Sequence, residues 1–589
     1  MSSTPPGYAN ERRMRTRLFL ILFLLVCAVF YPVLSAEFLP WDDDANIYLN
    51  PHLTGLGLDQ LKWISTDTTY VWRYQPLCWF TWSAIKACFG LKPFYFHLIV
   101  LLFHAANTGL VFLLIHKLLL LARNVARETA PPQFAICAAL GAAFWGVHPL
   151  RVESTAWAVE LAYVQPLFFF LLSIFSYLRA AEVKNPKLYV GLSMLLFIIS
   201  LMSFPLALGG FVVFWGLNFF PLRRLELDPA RWLSREAFKV WAEQFVFLAI
   251  AVFFGWLNLR IRSHPASTMW SNPASLAEFG FASRVMQGFF IWAYYIWKPF
   301  LPFNLTPVPI QLLEFKPLDL PFLLSAILVV GLSLILFLRR RLWPGIFVIW
   351  ICYLALLVPV LGISEHPHYP SDRYSLVVSI GWSILLSALL AKLWAHLRLR
   401  QLLLGASTVT LLLFASMSYQ QTFMWQTSVG FFQAILRPWK DEPKLASARL
   451  NLQMRLAQAH VDHGQFTNAV EVLREAIQIK PAFAEGHHQL GNALKETGDL
   501  DGASASYAEA MRLAPDLMPS LNDLGVAYAQ LGKLDQAMAQ FSKVMQREPE
   551  NASAIKNMAI ALQMKGRTNE AEVYLIRLKT LPSHPSGLQ

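Results

Sequence analysis

The sequence predicts an all-α protein in two parts, a polytopic helical membrane domain followed by an α-solenoid of helical hairpins. The 589-residue chain is 56% hydrophobic and only 15% charged, with a mean hydropathy of +0.43. Soluble domains carry about 25% charged residues. The last of the 20 tryptophans is Trp439, and a 34-residue repeat occupies the chain beyond it. The two parts therefore face different solvents, with a border near Trp439.

Eleven apolar runs approach the length of about 20 residues that a helix needs to cross a bilayer. They lie at 18–36, 94–121, 134–148, 162–180, 187–204, 206–221, 242–260, 319–338, 343–362, 374–396 and 401–420. A twelfth stretch, 281–303, is rich in aromatic residues and prolines. We expect it to lie at the outer interface or to re-enter, and we read the first run as an uncleaved signal anchor.

Basic clusters set the expected orientation. Arginines and lysines at 12–17, 123–127, 184–187, 223–239, 339–341 and 392–400 flank the apolar runs. All of them are cytoplasmic, as the positive-inside rule requires, if 281–303 does not cross. The N-terminus is then cytoplasmic and the solenoid lies outside. This placement explains much of the net charge of +12 and predicts no nucleic-acid partner.

The C-terminal repeat has three elements in phase. Glycines recur at 464, 498, 532 and 566, alanines at 469, 503, 537 and 571, and prolines at 481, 515 and 549. Glycine permits the left-handed turn that ends a helix, alanine allows close helix contact, and proline stops the second helix. The period is that of tetratricopeptide repeat (TPR) helix pairs. We expect about four units, which bind a peptide or protein partner; packing on the membrane domain or dimerisation is the alternative.

The expected domain organisation follows from these boundaries. Residues 1–17 form a cytoplasmic tail, 18–425 the transmembrane domain, 426–446 a linker and 447–589 the TPR domain.

Three groups of polar residues fall on the outer side under this topology. The first is the acidic run Asp42, Asp43 and Asp44, directly after the first apolar run. Adjacent carboxylates repel one another, so water, a bound cation or use as a base with a raised pKa must offset the repulsion. A solvated acidic turn is the alternative.

The second group lies between the third and fourth apolar runs. It contains His148, Arg151, Glu153, Trp157 and Glu160. The two glutamates are seven positions apart and share one face if the segment is helical. Arg151 is a partner for either, so an internal salt bridge is the alternative to a functional role.

The third group opens the tenth apolar run with Asp372 and Arg373, shortly after His366 and His368. An Asp–Arg pair at the mouth of a span is costly unless it is paired or functional. The two histidines raise the idea of a metal site. Their spacing of two and the lack of a nearby cysteine argue against one, and no metal ligands are predicted.

An ordered series of short motifs connects these groups. It comprises Asp43-Asp44, Asn50-Pro51, Gly55-Leu56, Gln75-Pro76-Leu77-Cys78-Trp79, Phe89-Gly90-Leu91, His97-Leu98, His104-Ala105-Ala106-Asn107-Thr108, His148-Pro149, Val152-Glu153, Ala156-Trp157, Trp297-Lys298-Pro299-Phe300 and Asp372-Arg373-Tyr374. In this series the chain resembles the bacterial TPR membrane proteins related to the transmembrane-and-TPR O-mannosyltransferases of the endoplasmic reticulum. That family belongs to the GT-C class of glycosyltransferases.

The resemblance implies a GT-C-like membrane domain in the bacterial inner membrane with a periplasmic TPR array. It implies transfer of a sugar, with mannose as the first candidate, from a polyprenyl-phosphate donor in the membrane lipid to a hydroxyl of an acceptor protein held by the TPR array. Asp43, or otherwise Asp44, is the implied base. Arg373, Arg151 and Lys298 are the implied ligands of the donor phosphate. The supporting residues are Asp42, His148, Glu153, Glu160 and Asp372.

The chain also departs from the family. Relatives commonly carry Glu-Arg-Lys-Asp after the Ala-Trp pair, whereas this chain has Glu160-Leu161-Ala162-Tyr163. Two further classes therefore stay open: a non-catalytic membrane anchor that displays a TPR scaffold for envelope assembly, and a lipid or solute carrier. A carrier places its charges near the bilayer midplane, whereas here they lie at the ends of spans, which favours an enzyme. No cofactor is certain, and a divalent cation remains an alternative.

Overall fold

The computed structural model describes residues 6–126, 130–226, 228–262, 280–307, 316–362, 370–439 and 446–581. The chain forms two compact units, Met1–Phe431 and Phe432–Gln589. All regular structure in the described residues is helical, and these residues contain no strand. The predicted all-α class is therefore confirmed.

The first unit contains fifteen helices among its described residues, and a sixteenth crosses the border between the two units. In chain order they are α1 Pro6–Phe30, α2 Leu58–Thr66, α3 Pro76–Phe89, α4 Pro93–Arg123, α5 Pro132–Gly146, α6 Val152–Ala156, α7 Leu161–Ala180, α8 Lys187–Ser203, α9 Phe211–Phe219, α10 Arg235–Arg262, α11 Phe281–Trp297, α12 Leu320–Leu338, α13 Pro344–Leu357, α14 Ser375–Leu393, α15 Leu397–Thr422 and α16 Ser428–Leu436.

Small residues let α5 pack closely in the core of this unit. Its run of alanines is largely buried, and a Cβ added at Gly141 would lie 2.8 Å from the carbonyl oxygen of Ser383 in α14. Helices α12 and α15 behave differently, because they leave Ile327, Leu334 and Leu412 exposed. Such continuous apolar exposure is typical of a lipid-facing surface.

Within the described ranges, seven helices are long and apolar enough to cross a membrane, by length and composition only. They are Glu11–Ser35, Pro93–Arg123, Ala158–Ala180, Arg235–Arg262, Leu320–Leu338, Asp372–Leu393 and Leu397–Trp425. An eighth candidate is the pair Pro132–Gly146 and Pro149–Ala156, which is bent by 60°. Three other predicted spans are shorter apolar helices, Lys187–Ser203, Pro205–Phe219 and Pro344–Val360. The predicted count of eleven is therefore not confirmed, although each predicted run is helical.

The second unit is a series of antiparallel helix pairs. Its helices are α17 Ala446–Asp462, α18 Phe466–Ile479, α19 Ala484–Thr497, α20 Leu500–Leu513, α21 Met518–Gln530, α22 Leu534–Arg547, α23 Ala552–Met564 and α24 Thr568–Thr580. The four repeated glycines have φ between 68° and 85°, the left-handed conformation that ends each first helix. The four repeated alanines are completely buried, as close helix contact requires.

Candidate active site

The acidic run folds into a tight turn whose centre, Asp43, is completely buried. Its two carboxylate oxygens accept backbone N–H groups, one from Leu39 and one from Val159, each at 2.9 Å. Burial raises the pKa of Asp43 well above its usual range, and the two backbone hydrogen bonds lower it by less. The Asp43 side chain therefore connects the first loop, by hydrogen bonds, to the segment that joins α6 and α7.

Asp42 and Asp44 have different surroundings. The Asp42 side chain is 23% exposed, and its Oδ2 lies 3.9 Å from Nη2 of Arg73. Burial raises the pKa of Asp42, while the positive charges of Arg73 and Arg373 lower it by less. Asp44 accepts a hydrogen bond only 2.8 Å away, from the backbone N–H of Ala45 in its own turn. Of the three carboxylates, Asp42 is the one that is partly exposed to solvent and also lies near two cations, Arg73 and Arg373.

Arg373 links the second and third polar groups. Its Nη1 lies 2.7 Å from Oε1 of Glu153 and 3.6 Å from Oε1 of Glu160. Its backbone N–H donates to Oε2 of Glu153 at 3.0 Å. One cation thus offsets two buried carboxylates, which would otherwise repel each other.

Aromatic rings enclose the Arg373 guanidinium. Its Cζ lies 5.5 Å from the ring centroids of Trp157 and Tyr163 and 5.3 Å from that of Tyr374. Stacking of this kind holds the planar head in one orientation, because ring faces attract cations. The Nε of Arg373 and Oε2 of Glu160 have no hydrogen-bond partner among the described residues.

Arg151 is a second cation, with only 1% of its surface exposed. Its Nη2 donates to the hydroxyl of Ser375, and its Cζ lies 5.6 Å from the Trp145 ring centroid. Among the described residues, Nε and Nη1 of this guanidinium have no hydrogen-bond partner. Asp372 lies within electrostatic reach of Arg151. Two buried, unsatisfied donors on a cation form a site that an anion would complete.

Lys298 and His148 belong to connecting segments of the same unit. Lys298 directly follows α11, and His148 lies between α5 and α6. Nζ of Lys298 donates to the carbonyl of Phe303 at 2.7 Å, and Asp372 is within electrostatic reach. Burial lowers the pKa of Lys298, and the charge of Asp372 offsets part of that shift. Nε2 of His148 is 2.8 Å from the carbonyl of Pro299, while Nδ1 accepts from the Leu150 N–H. Both ring nitrogens of His148 are thus engaged in holding the backbone.

The structure brings most of the predicted residues together. Arg373, Glu153 and Glu160 are in contact, and Asp43 is bonded to the residue that precedes Glu160. The hydrogen bonds of the Asp44 and His148 side chains described here go to nearby backbone groups instead. His366 and His368 lie outside the described residues.

Sequence reasoning missed Arg73 and gave no role to Tyr163. Arg73 faces Asp42 and lies within electrostatic reach of Glu160 and Tyr163. The available signal was a basic residue two positions before the Gln75-Pro76 motif. Arg73 therefore places a second positive charge near Glu160, beside that of Arg373.

No group of three or more His, Cys, Asp or Glu side chains in the described ranges is arranged to hold a metal ion. The expectation of a site without metal ligands stays a prediction.

Fold and site together define a helical membrane protein that carries a TPR array and a cluster of buried charges at the ends of its apolar helices. Matches to families described as TPR repeat (residues 457–498) and Tetratricopeptide repeat (484–517 and 528–580) agree with the array. The predicted repeats are therefore confirmed.

Among known proteins, the chain is similar to Protein O-mannosyl-transferase TMTC2 of Homo sapiens and of Mus musculus. Each is 29% identical over 177 residues, which is 28% of this chain and 19% of the relative. The match thus spans about a fifth of the relatives' length. This similarity agrees with the resemblance to the transmembrane-and-TPR O-mannosyltransferases.

Solved structures also match. A crystal structure of MamA protein is 19% identical and covers 27% of this chain and 87% of that one, with a TM-score of 0.24. YrrB, described as a TPR protein with an unusual peptide-binding site, is 20% identical and covers 27% and 78% of the two chains, with a TM-score of 0.23.

Proposed function

We propose that this protein is a GT-C type glycosyltransferase that moves a sugar from a polyprenyl-phosphate donor to a protein hydroxyl on the extracytoplasmic face of the membrane. One observation carries the proposal: the partly exposed carboxylate of Asp42 lies beside Arg73 and within electrostatic reach of Arg373. A base and the cations for a phosphate leaving group thus occur together at the ends of apolar helices.

The acidic turn supplies the general base in this proposal. The acceptor hydroxyl gives its proton to a carboxylate, its oxygen bonds to the anomeric carbon, and the bond from that carbon to the phosphate oxygen breaks. A base must lie within hydrogen-bond reach of the proton that it takes. Asp42 satisfies this requirement best because it is partly exposed, whereas both oxygens of the buried Asp43 already accept backbone N–H groups. Asp43 then positions the turn.

The cations bind the donor phosphate. Arg151 offers two unsatisfied guanidinium nitrogens, and Arg373 offers its Nε, so a phosphate oxygen would gain charge-assisted hydrogen bonds from both. The negative charge on that phosphate grows as the sugar leaves. Interactions with these arginines therefore strengthen in the transition state, which accelerates transfer. Lys298 adds a third positive charge near Asp372.

The TPR array binds the acceptor protein, since stacked helix pairs present an extended concave surface. The location that we propose is a bacterial inner membrane, with the N-terminus in the cytoplasm and the array in the periplasm. A reporter that is active only in the periplasm, fused after Gln589, tests this orientation. Signal from a cytoplasmic reporter at the same position would contradict it.

A second candidate function is a non-catalytic anchor for a TPR scaffold. The contact of Arg373 with two carboxylates favours it, because a charge that is satisfied internally needs no ligand. The unsatisfied donors of Arg151 favour the enzyme.

A transfer assay distinguishes the two candidates. Purified full-length protein receives polyprenyl-phosphate-linked mannose, labelled in the sugar, together with a periplasmic protein extract. The enzyme proposal expects label in protein, and mannose is tested first because the relatives are named O-mannosyl-transferases. Parallel reactions carry glucose or galactose on the same lipid. Absence of label with all donors, in protein that is folded by circular dichroism, would favour the scaffold.

A further inference from the structure

A polar cavity of about 530 Å³ lies at the far end of the first unit from the charge cluster. It is formed where α4 and α7 end, together with the loop after α9. Its lining includes Leu121, Asn124, Glu182, Pro221, Arg223 and Arg224. The 20-residue α7 separates it from Glu160 by about 30 Å, at 1.5 Å per helical residue. The two sites are therefore distinct.

The carboxylates around this cavity are already paired. Glu182 lies 2.8 Å from Nζ of Lys117 and 3.1 Å from Nη1 of Arg179. Glu243 lies 2.9 Å from Nη1 of Arg224. These pairs leave an excess of positive charge.

Arg223 is the source of the excess positive charge at this cavity. It has no carboxylate within ion-pair distance among the described residues, and its Cζ lies 6.0 Å from the ring centroid of Phe220. Its backbone has a φ of 53°, in the left-handed region, so the loop holds this residue in an unusual conformation. An exposed, unpaired guanidinium beside a cavity suits a phosphate group.

A second cavity, of about 280 Å³, adjoins the first and shares Pro221 with it. It lies between α4, α7, α9, α13 and α14, and its walls are almost wholly apolar. Along α14 its lining extends from Val377 to Ala388, which corresponds to about 16 Å of helix. Half of a bilayer's hydrocarbon core is about 15 Å thick, so the cavity matches the depth of one leaflet.

We propose that the two cavities together bind an anionic phospholipid, with its phosphate at Arg223 and one acyl chain between α4 and α14. Charge and shape both select this ligand. The first cavity, which would hold the headgroup, is positively charged. The second, which would hold the acyl chain, has apolar walls, and the two meet at Pro221. This inference does not depend on the proposed transferase activity, because none of its residues belongs to the candidate active site.

Native mass spectrometry of the full-length protein, released from vesicles of equal phosphatidylglycerol and phosphatidylcholine, tests the proposal. We expect phosphatidylglycerol to be retained about tenfold more than phosphatidylcholine. Both lipids carry a phosphate, but the choline cation of phosphatidylcholine offsets its charge and is repelled by Arg223. Arg223→Asn should abolish the preference, because asparagine tolerates a left-handed backbone but has no charge. Arg235→Asn is the matched control on the exposed start of α10, and it should retain the preference.

The apolar cavity has its own test. Ala388→Phe fills the chain site and should reduce retention of either lipid, whereas Leu389→Phe, on the exposed side of α14, should not. Glycerol 3-phosphate has the headgroup phosphate without a chain, and we expect it not to be retained. Equal retention of the two lipids by the wild-type protein, unchanged retention in Arg223→Asn, or binding of glycerol 3-phosphate that Ala388→Phe leaves intact would overturn the proposal.

Discussion

The carboxylate of Asp43 accepts the backbone N–H of Val159 at 2.9 Å, across 116 positions of sequence. This bond fixes the acidic turn against the segment that leads into α7. Glu160 follows directly and faces Arg373. The candidate base and the candidate phosphate ligands are therefore positioned by one buried aspartate that itself has no free oxygen for substrate.

Asp43→Asn should destabilise the first unit. An amide keeps the shape of the side chain but places an NH₂ group against one of two buried N–H donors. An unsatisfied buried polar group costs about 1–3 kcal/mol. The measurement is the thermal unfolding midpoint of the full-length protein in detergent. Asp44→Asn is the control, since the Asp44 carboxylate accepts a hydrogen bond from Ala45 within its own turn. Equal midpoints for the two variants would show that the Asp43 bonds contribute nothing.

Arg151→Met should weaken donor binding without destabilising the fold. Methionine fills similar space. It removes two donors that lack partners among the described residues, together with one hydrogen bond to Ser375. If a donor phosphate occupies those groups, the KM for the lipid donor should rise about tenfold or more. The unfolding midpoint should stay constant or increase. A large loss of stability with an unchanged KM would assign Arg151 a structural role.

Arg373→Ala should destabilise the fold and abolish transfer, because it leaves Glu153 and Glu160 buried without their cation. Breaking a buried ion pair from one side costs about 3–5 kcal/mol. Adding Glu153→Gln should restore part of the stability, since it removes one of the uncompensated charges. Transfer should stay absent in this double variant. Recovery of both stability and transfer would mean that Arg373 acts only by holding the fold together.

The acidic limb of the pH–rate profile should report Asp42. A base works when it is ionised, and burial raises the pKa of Asp42. The kcat/KM should therefore fall as pH decreases through a value above the usual aspartate range. Arg73→Gln removes a positive charge that lowers this pKa, so the limb should move to higher pH. A limb that does not move would exclude Asp42 as the titrating group.

The repeat alanines should be sensitive to size. Ala503→Leu inserts a larger side chain at a completely buried position between helices, and overpacking of this kind costs about 1–3 kcal/mol. Ala508→Leu, on the exposed face of the same helix, should be neutral. Limited proteolysis of the full-length protein at increasing temperature measures the difference. Equal protease resistance would contradict the close packing of α19 and α20.

Sequence patterns predicted the helices because apolar runs and the 34-residue period are local properties of the chain. They also predicted that Glu153 and Arg373 lie on the same side of the membrane, since the expected topology places both residues at the outer ends of apolar runs. The N–H partners of Asp43 could not be predicted, because every residue except proline has a backbone N–H and its position depends on the fold.

The number of membrane spans is more difficult to predict from the sequence. Helices such as Lys187–Ser203 are apolar, but they are shorter than a bilayer requires by length alone.

The most direct test of the proposed function compares three variants in the transfer assay. Full-length wild-type protein, Asp42→Asn, Asp43→Asn and Asp44→Asn receive labelled polyprenyl-phosphate mannose and the same periplasmic extract. General base catalysis contributes about 10²–10⁴ in rate, so Asp42→Asn should lose transfer by that factor at an unchanged unfolding midpoint. Asp44→Asn should stay close to wild type, and Asp43→Asn should lose stability together with activity. Transfer at the wild-type rate in Asp42→Asn, or no transfer by the folded wild-type protein with any tested sugar, would contradict the proposal.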